Sequence, residues 1–272
     1  MADTPSSASI LDQQHIRVKH CRHGPMAFNV QDRFIGRSFD LYGEYVEGEI
    51  QMFDQLLRPG MVTLDVGANI GAHTIFMARK VQPGGVVIAF EPQRQIFQLL
   101  CANVALNAIQ NVHTFHAATG AEEGQIKVPM VNYEEEGNFG GVALGGHENG
   151  ETVACRTIDS YGLGQCHFMK IDVEGMECET LAGADATIKR CRPFLYIEND
   201  RRDRAEELLT RLFGLEYRVY WHLPLLYNPE NFFGNTENVF EGLISRNILC
   251  LPNEMKVSID GMQEITDPTI KF

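Results

Sequence analysis

The chain has 272 residues, 44% of them hydrophobic and 22% charged, with a formal net charge of −13. That length and balance suit one large α/β domain, or one domain with elaborations, with ample material for a core. The negative charge excludes a nonspecific binder of nucleic-acid backbone, which needs a concentrated positive face.

Residues 1–20 are polar and without period, and read as a loose arm. They hold no apolar core of a signal peptide, and no stretch of the chain approaches the length of a membrane-spanning helix; the expected location is cytoplasmic. Between Glu44 and Leu57, the apolar Val46, Ile50, Phe53 and Leu57 recur at helical spacing, and Arg58-Pro59-Gly60 stops the run. Met61 to Val66 reads as a buried strand, Gly71 to Val81 as a helix, and Val86 to Phe90 as a second strand. Pro92 is placed to open the next helix, whose inner face is Phe97, Leu100, Cys101 and Val104. A third strand spans Val112 to Ala117.

The insert from Thr119 to Gln165 is rich in Gly, Glu and Asn, with strand-like pieces at Gln125–Met130 and Thr152–Thr157. A fourth strand, His167 to Ile171, leads to a helix with Leu181, Ala184 and Ile188 on one face. Phe194 to Ile197 is a fifth strand, and Ala205, Leu208, Leu209 and Leu212 mark another helix. Two late strands, Tyr217–Trp221 and Asn247–Leu251, flank an aromatic, Asn-rich connection. The alternation predicts an α/β fold with a parallel sheet and helices on both faces, its ligand at the carboxyl ends of the strands, and an antiparallel edge from the late strands. Seven cysteines, an odd number with no C-x-x-C pair, read as reduced thiols.

The chemistry concentrates where the first strand turns into its helix. Gly67 permits a tight turn, Asn69 lies within it, and Gly71 lets a ligand approach the backbone. The G-x-x-x-G spacing differs from the G-x-G-x-x-G of dinucleotide sites. Glu91, twenty positions after Gly71, ends the second strand, where a carboxylate accepts hydrogen bonds from ribose hydroxyls. NAD and S-adenosylmethionine both fit that contact. Asp65 at the mouth of the turn would repel a pyrophosphate but suits a cationic sulfonium and an amino group, which favours the methyl donor. Ala117, ending the third strand, joins Asp65, Gly67, Asn69, Gly71 and Glu91 in the expected cofactor set.

Asp65-Val-Gly-Ala-Asn-Ile-Gly71, Phe90-Glu91-Pro92 and Lys170-Ile-Asp172-Val-Glu174-Gly175-Met-Glu177 together resemble the FkbM-type methyltransferase family, in sequence and in order. The likeness covers roughly residues 41–200, and Asn231-Phe-Phe-Gly234 through Asn247-Ile-Leu-Cys-Leu-Pro252 is similar to some members. Many class I methyltransferases share the first motif; D-V-E-G-x-E is narrower. The resemblance implies a doubly wound, mostly parallel, seven-stranded Rossmann-like sheet, S-adenosylmethionine as cofactor, and usually O-methylation of sugars or secondary metabolites.

Asp172 and Glu174, leaving the fourth strand, are the catalytic candidates, as base, metal ligand or orienting acceptor; the plainer alternative is a cap for the following helix. Glu177 lies inside that helix and reads as a surface or supporting residue. Asp172 with Glu198 and Asn199, at the ends of neighbouring strands, offers oxygen donors for Mg²⁺, an arrangement that resembles some metal-dependent O-methyltransferases. His73 could face the cofactor or simply pack on the first helix turn, and His147 and His222 read as solvated. Asn138-Phe-Gly-Gly141 resembles a family turn over the active site. Tyr227, Asn231, Phe232, Phe233 and Asn235 suit a carbohydrate surface or a structural lid contact.

The expected organisation is an arm and lead-in over 1–40, a methyltransferase domain over 41–252 with an insert at 119–165 and an acceptor lid at 222–246, and a tail over 253–272. The expected partner is a small hydroxylated acceptor, possible carbohydrates included. Methylation of nitrogen or carbon, or cofactor binding without turnover, stays open at this stage.

Overall fold

A computed structural model describes residues 6–257 and 259–270. The N-terminal region is not the loose arm its polarity predicts: β1 (Ser9–Gln13), β2 (Ile16–Cys21) and β3 (Gly24–Asn29) form an antiparallel sheet. Residues 1–5 of that expected arm lie outside the described residues. Met26, Ala27 and Phe28 are buried, and the side chain of Asn103 bonds both the N–H and the carbonyl of Ala27, at 2.6 and 3.0 Å. This partner is remote in sequence, so no local period announces the strands. An unanticipated helix α1 (Ile35–Tyr42) follows; Asp32 Oδ1 accepts the N–H groups of Phe34 and Ile35, each at 2.9 Å, at its start.

The elements then run α2 (Glu47–Leu56), β4 (Val62–Val66), α3 (Ala72–Lys80), β5 (Val86–Phe90), α4 (Arg94–Leu106), β6 (Val112–Phe115), β7 (Ala118–Thr119), β8 (Gly124–Val128) and β9 (Glu151–Arg156). After them come β10 (Phe168–Ile171), α5 (Glu177–Ala182), α6 (Asp185–Cys191), β11 (Phe194–Glu198), α7 (Ala205–Gly214), β12 (Tyr217–His222), β13 (Asn247–Pro252) and β14 (Glu264–Ile265). Pro92 sits just ahead of α4 rather than in it, with Gln93 as the cap residue; of the four residues expected on that helix's inner face, only Leu100 is fully buried, beside Ile96 and Asn103. The single helix expected around Leu181 and Ile188 is two, parted at Gly183-Ala184.

The main sheet has eight strands in the order β14-β12-β13-β11-β10-β4-β5-β6. β6, β5, β4, β10 and β11 are mutually parallel, while β13 is antiparallel to both β11 and β12, between which it is inserted. The eighth strand, β14, comes from the segment expected as a tail and pairs with β12. Successive strand residues face opposite sides, as strand geometry requires. Leu64, Val66, Met169, Ile171, Leu195 and Ile197 pack with Leu181, Ile188 and Leu209 of α5–α7. Val87, Phe168 and Tyr196 face Ile50, Phe53 and Met77 of α2 and α3. The chain is thus doubly wound, with the order reversing between β4 and β10, where such sheets place their ligands. The insert forms a small sheet, β7-β9-β8. Among the described residues no helix is long and apolar enough to cross a membrane.

Candidate active site

A cavity of about 580 Å³ opens where β4, β5, β10 and β11 end. The turn after β4 supplies one wall with Val66, Gly67, Ala68 and Asn69. Gly67 has φ +80°, and a Cβ there would stand 1.7 Å from the carbonyl oxygen of Asp172. Glycine is therefore needed for close approach of two strand ends as much as for the turn. Asn69 is also left-handed, at φ 50°. Glu91 is buried in the same wall; its Oε2 accepts the N–H of Asn69 at 3.0 Å and its Oε1 that of Gln93 at 2.7 Å. Burial pushes its carboxyl up to about 7, against those two hydrogen bonds. Ala117 lines the cavity as well.

Two members of the expected cofactor set are placed elsewhere. Asp65 is fully buried and does not line the cavity: strand alternation turns it toward α3, where Thr74 Oγ1 donates to its Oδ2 at 2.5 Å. Its Oδ1, with no hydrogen-bond partner, lies 3.9 Å from Lys170 Nζ, directly across the strand pair. Gly71 also stays off the cavity wall; it has φ +87° at the start of α3, and a Cβ would lie 2.8 Å from Leu100 Cδ1. There it packs against α4.

The other wall carries charge. Asp172, Glu174 and Glu198 each bring a carboxylate oxygen into one group, all within 4.8 Å of one another. Lys170 Nζ donates to Asp172 Oδ2 at 2.9 Å, and Arg201 Nη2 donates to Glu174 Oε2 at 2.7 Å. Burial and the neighbouring charge of Asp172 push Glu174 up to about 8. The same two causes hold Glu198 well above the usual carboxylate range, and one of its oxygens is buried without a hydrogen-bond partner. Asn199 is placed differently. It is buried, lies outside the cavity wall, and donates its backbone N–H to Arg246. Of the oxygen set expected for Mg²⁺, Asp172 and Glu198 line the cavity, and Glu174, expected as a catalytic residue, brings a third carboxylate to them. Glu177 is buried and accepts N–H groups from Val173 and Gly175, fixing the turn after β10.

Asn138, Gly140 and Gly141 line the cavity, and Gln93 Nε2 anchors that loop through the carbonyl of Phe139 at 2.8 Å. The Asn-rich connection does otherwise: Tyr227 and Asn231 bond the carbonyl of Asn235, Phe232 lies under the Arg22 guanidinium, and none of these lines the cavity. Leu226, Ile244, Ser245 and Arg246 of that segment do. His147 bonds its own loop and His222 pairs with Tyr196 Oη at 2.7 Å; both are away from the wall. Sequence reasoning passed over Tyr45, Lys170, Ser245 and Arg201. Lys170 alone carried a signal, as a charged residue inside an otherwise apolar strand.

A model of the methyltransferase FkbM domain matches residues 65–219. The AMB antimetabolite synthetase AmbE of Pseudomonas aeruginosa is 28% identical over 226 residues, covering 66% of this chain and 11% of its own length. Methyltransferase sdnD of Sordaria araneosa is 28% identical over 155 residues, covering 45% of this chain and 60% of its own. The chain thus spans less than two thirds of these curated relatives. Among solved structures, a precorrin-6y C5,15-methyltransferase from Geobacter metallireducens superposes with a TM-score of 0.50 at 14% identity, covering 75% of this chain and 86% of that one, which speaks to the fold.

Proposed function

The chain belongs to the FkbM methyltransferase family, and from that premise we propose that it moves a methyl group from S-adenosylmethionine to a hydroxyl oxygen of a small polyhydroxylated acceptor such as a sugar. The observation that carries this reading is the cavity's division, with Glu91 and the glycine turn in one wall and Asp172, Glu174 and Glu198 in the other. When bound, S-adenosylmethionine supplies an electrophilic methyl group on a sulfonium. Glu91 receives the ribose hydroxyls: each of its oxygens takes one backbone N–H and keeps a lone pair for a further donor. Gly67, Asn69 and Ala117 enclose the nucleoside with little side-chain bulk.

Asp65 acts one step back, since its hydrogen bond from Thr74 and its ion pair with Lys170 tie β4 to α3 and β10. Asp172 and Glu174 accept hydrogen bonds from acceptor hydroxyls and fix the attacking oxygen in line, which is the main geometric demand of a displacement. Release of S-adenosylhomocysteine across a panel of sugars, other alcohols and amines tests the reading. Release with amines alone moves the activity to nitrogen. Tight binding of S-adenosylmethionine without release on any acceptor leaves a binding protein.

A second reading keeps the divalent cation. Asp172, Glu174 and Glu198 supply three hard oxygen donors within one small volume, a set that fits Mg²⁺. The ion would lower the pKa of an acceptor hydroxyl it touched. Full turnover after exhaustive chelation removes this reading and leaves the carboxylates as orienting groups.

A further inference from the structure

The cavity lining also contains an imidazole. His73 stands in the first turn of α3, is 6% exposed and lines the cavity. Its Nε2 lies 3.0 Å from Oε2 of Glu49 on α2, close enough for an ion pair though out of line for a hydrogen bond. Glu49 is itself buried, and its other oxygen accepts from Ser245 Oγ at 2.6 Å and from Asn247 Nδ2 at 2.9 Å. Asn247 also donates to Ser245 Oγ, so the three side chains brace one another. Phe53 and Tyr45 meet the imidazole edge-on, with centroids 5.4 and 6.2 Å away. The ring is thus held by packing and by a carboxylate that is fixed in turn.

Charge supports a role beyond packing. Burial works against ionisation of Glu49, yet His73 foremost, with Lys170 and Ser245, pulls its carboxyl down to about 2. Lys170 is already engaged by Asp172 at 2.9 Å and faces Asp65 at 3.9 Å, whereas His73 stands directly against Glu49 at 3.0 Å. A carboxylate held ionised in a buried place stabilises an imidazolium beside it. The titratable groups against the ring are Glu49 from α2 and Tyr45 from the turn before it; Lys170 of β10 also acts on Glu49, and Asp172, just past β10, acts on Tyr45.

We propose that His73 takes the proton of the acceptor hydroxyl and that Glu49 is its positioning residue. The inference rests on the reading that this cavity methylates a hydroxyl. Nε2 is turned to Glu49, so Nδ1 receives the proton. The acceptor O–H bond breaks, the oxygen's electron pair forms the bond to the methyl carbon, and the pair of the broken carbon–sulfur bond leaves with sulfur. The imidazolium formed is balanced by Glu49. Asp172 and Glu174 then orient neighbouring hydroxyls rather than remove this proton.

Two measurements test it. In ¹⁵N-histidine-labelled protein saturated with S-adenosylhomocysteine, the His73 signal, assigned by its loss in His73→Gln, should show bare Nδ1 and protonated Nε2 in its neutral form. A neutral ring protonated at Nδ1 overturns the proposal whatever the acceptor proves to be. In turnover, His73→Gln should lower kcat about 100-fold, within the range of general-base catalysis, and remove the low-pH limb of its pH profile. Glu49→Gln should lower kcat about tenfold, a smaller share of that effect. Both should bind S-adenosylhomocysteine within about twofold of wild type, well under a tenfold step of 1.4 kcal/mol. A His73→Gln enzyme that keeps its kcat and its pH limb defeats the inference; failure of the wild type to release S-adenosylhomocysteine on any acceptor defeats the methyl-transfer reading instead.

Discussion

Where the β4–α3 turn and the end of β5 wall the cavity, the contributors lie close together between Val66 and Gln93, around the left-handed backbone of Gly67 and Asn69. Across the cavity the surface is side chain and charge, gathered from β10, β11, residues 200–203 and residues 244–246. The first wall has its shape set by φ angles and by two N–H donors that fill half of Glu91. The second has its shape set by ion pairs, Lys170 with Asp172 and Arg201 with Glu174. Backbone tolerates little alteration and suits one unvarying ligand. A partly exposed ion pair such as Arg201 with Glu174 can be exchanged without moving the sheet, and such a pair suits a ligand that differs between enzymes.

The largest effect should come where the two walls touch. Gly67→Ala puts a Cβ against the Asp172 carbonyl at a positive φ. Strain of about 1–3 kcal/mol and overpacking of about 1–3 kcal/mol together predict a loss of roughly 2–6 kcal/mol in urea unfolding. A neutral result would show that the walls are not wedged together.

Glu91→Ala should weaken S-adenosylhomocysteine binding by about 1.5–3 kcal/mol, or roughly tenfold to a hundredfold, as charge-assisted bonds to the ribose are lost. Calorimetry on the folded variant checks this, and unchanged affinity would put the ribose elsewhere. The same carboxyl gives a pH signature with two opposite signs. Its folded value, about 7, lies above the ordinary 4.5, so its contribution to stability is full below about 4.5 and is lost as pH rises through about 7. Ribose hydroxyls prefer the ionised form, so ligand affinity should rise over that same interval. Thermal melts across this range, with and without ligand, should show the two trends diverge, and Glu91→Ala should remove both.

The smallest effect should fall on the acceptor wall. Arg201→Met breaks a partly exposed ion pair with Glu174, at a cost of at most about 1 kcal/mol in stability. Cofactor affinity should stay unchanged while the KM for a working acceptor moves. An equal loss of cofactor affinity would erase the distinction between the walls.

Elements formed by local pattern were readable in the chain: β5 was delimited at Val86 and Phe90, and α7 followed from Ala205, Leu208, Leu209 and Leu212. Elements that depend on remote partners were not. β3 packs on α4 through Asn103, β2 pairs with β3, and β14 is two residues long and pairs along the edge that β12 leaves. The same division runs through the site. Gly67, Asn69 and Glu91 follow from a strand–turn–helix junction, whose geometry permits few residues at each position.

The sequence by itself determined the alternating α/β order, the glycine turn and the acids that end β5, β10 and β11, because periodicity, positive φ and strand termini are local properties. Only the tertiary structure decided which way each side chain turns. It sent Asp65 to Thr74 and Lys170 instead of the cavity, drew Glu174 together with Asp172 and Glu198, and brought Glu49 from α2 against His73. Those outcomes depend on strand alternation fixed by register with a neighbour, and on helices packed from elsewhere in the chain, neither of which a run of residues specifies alone.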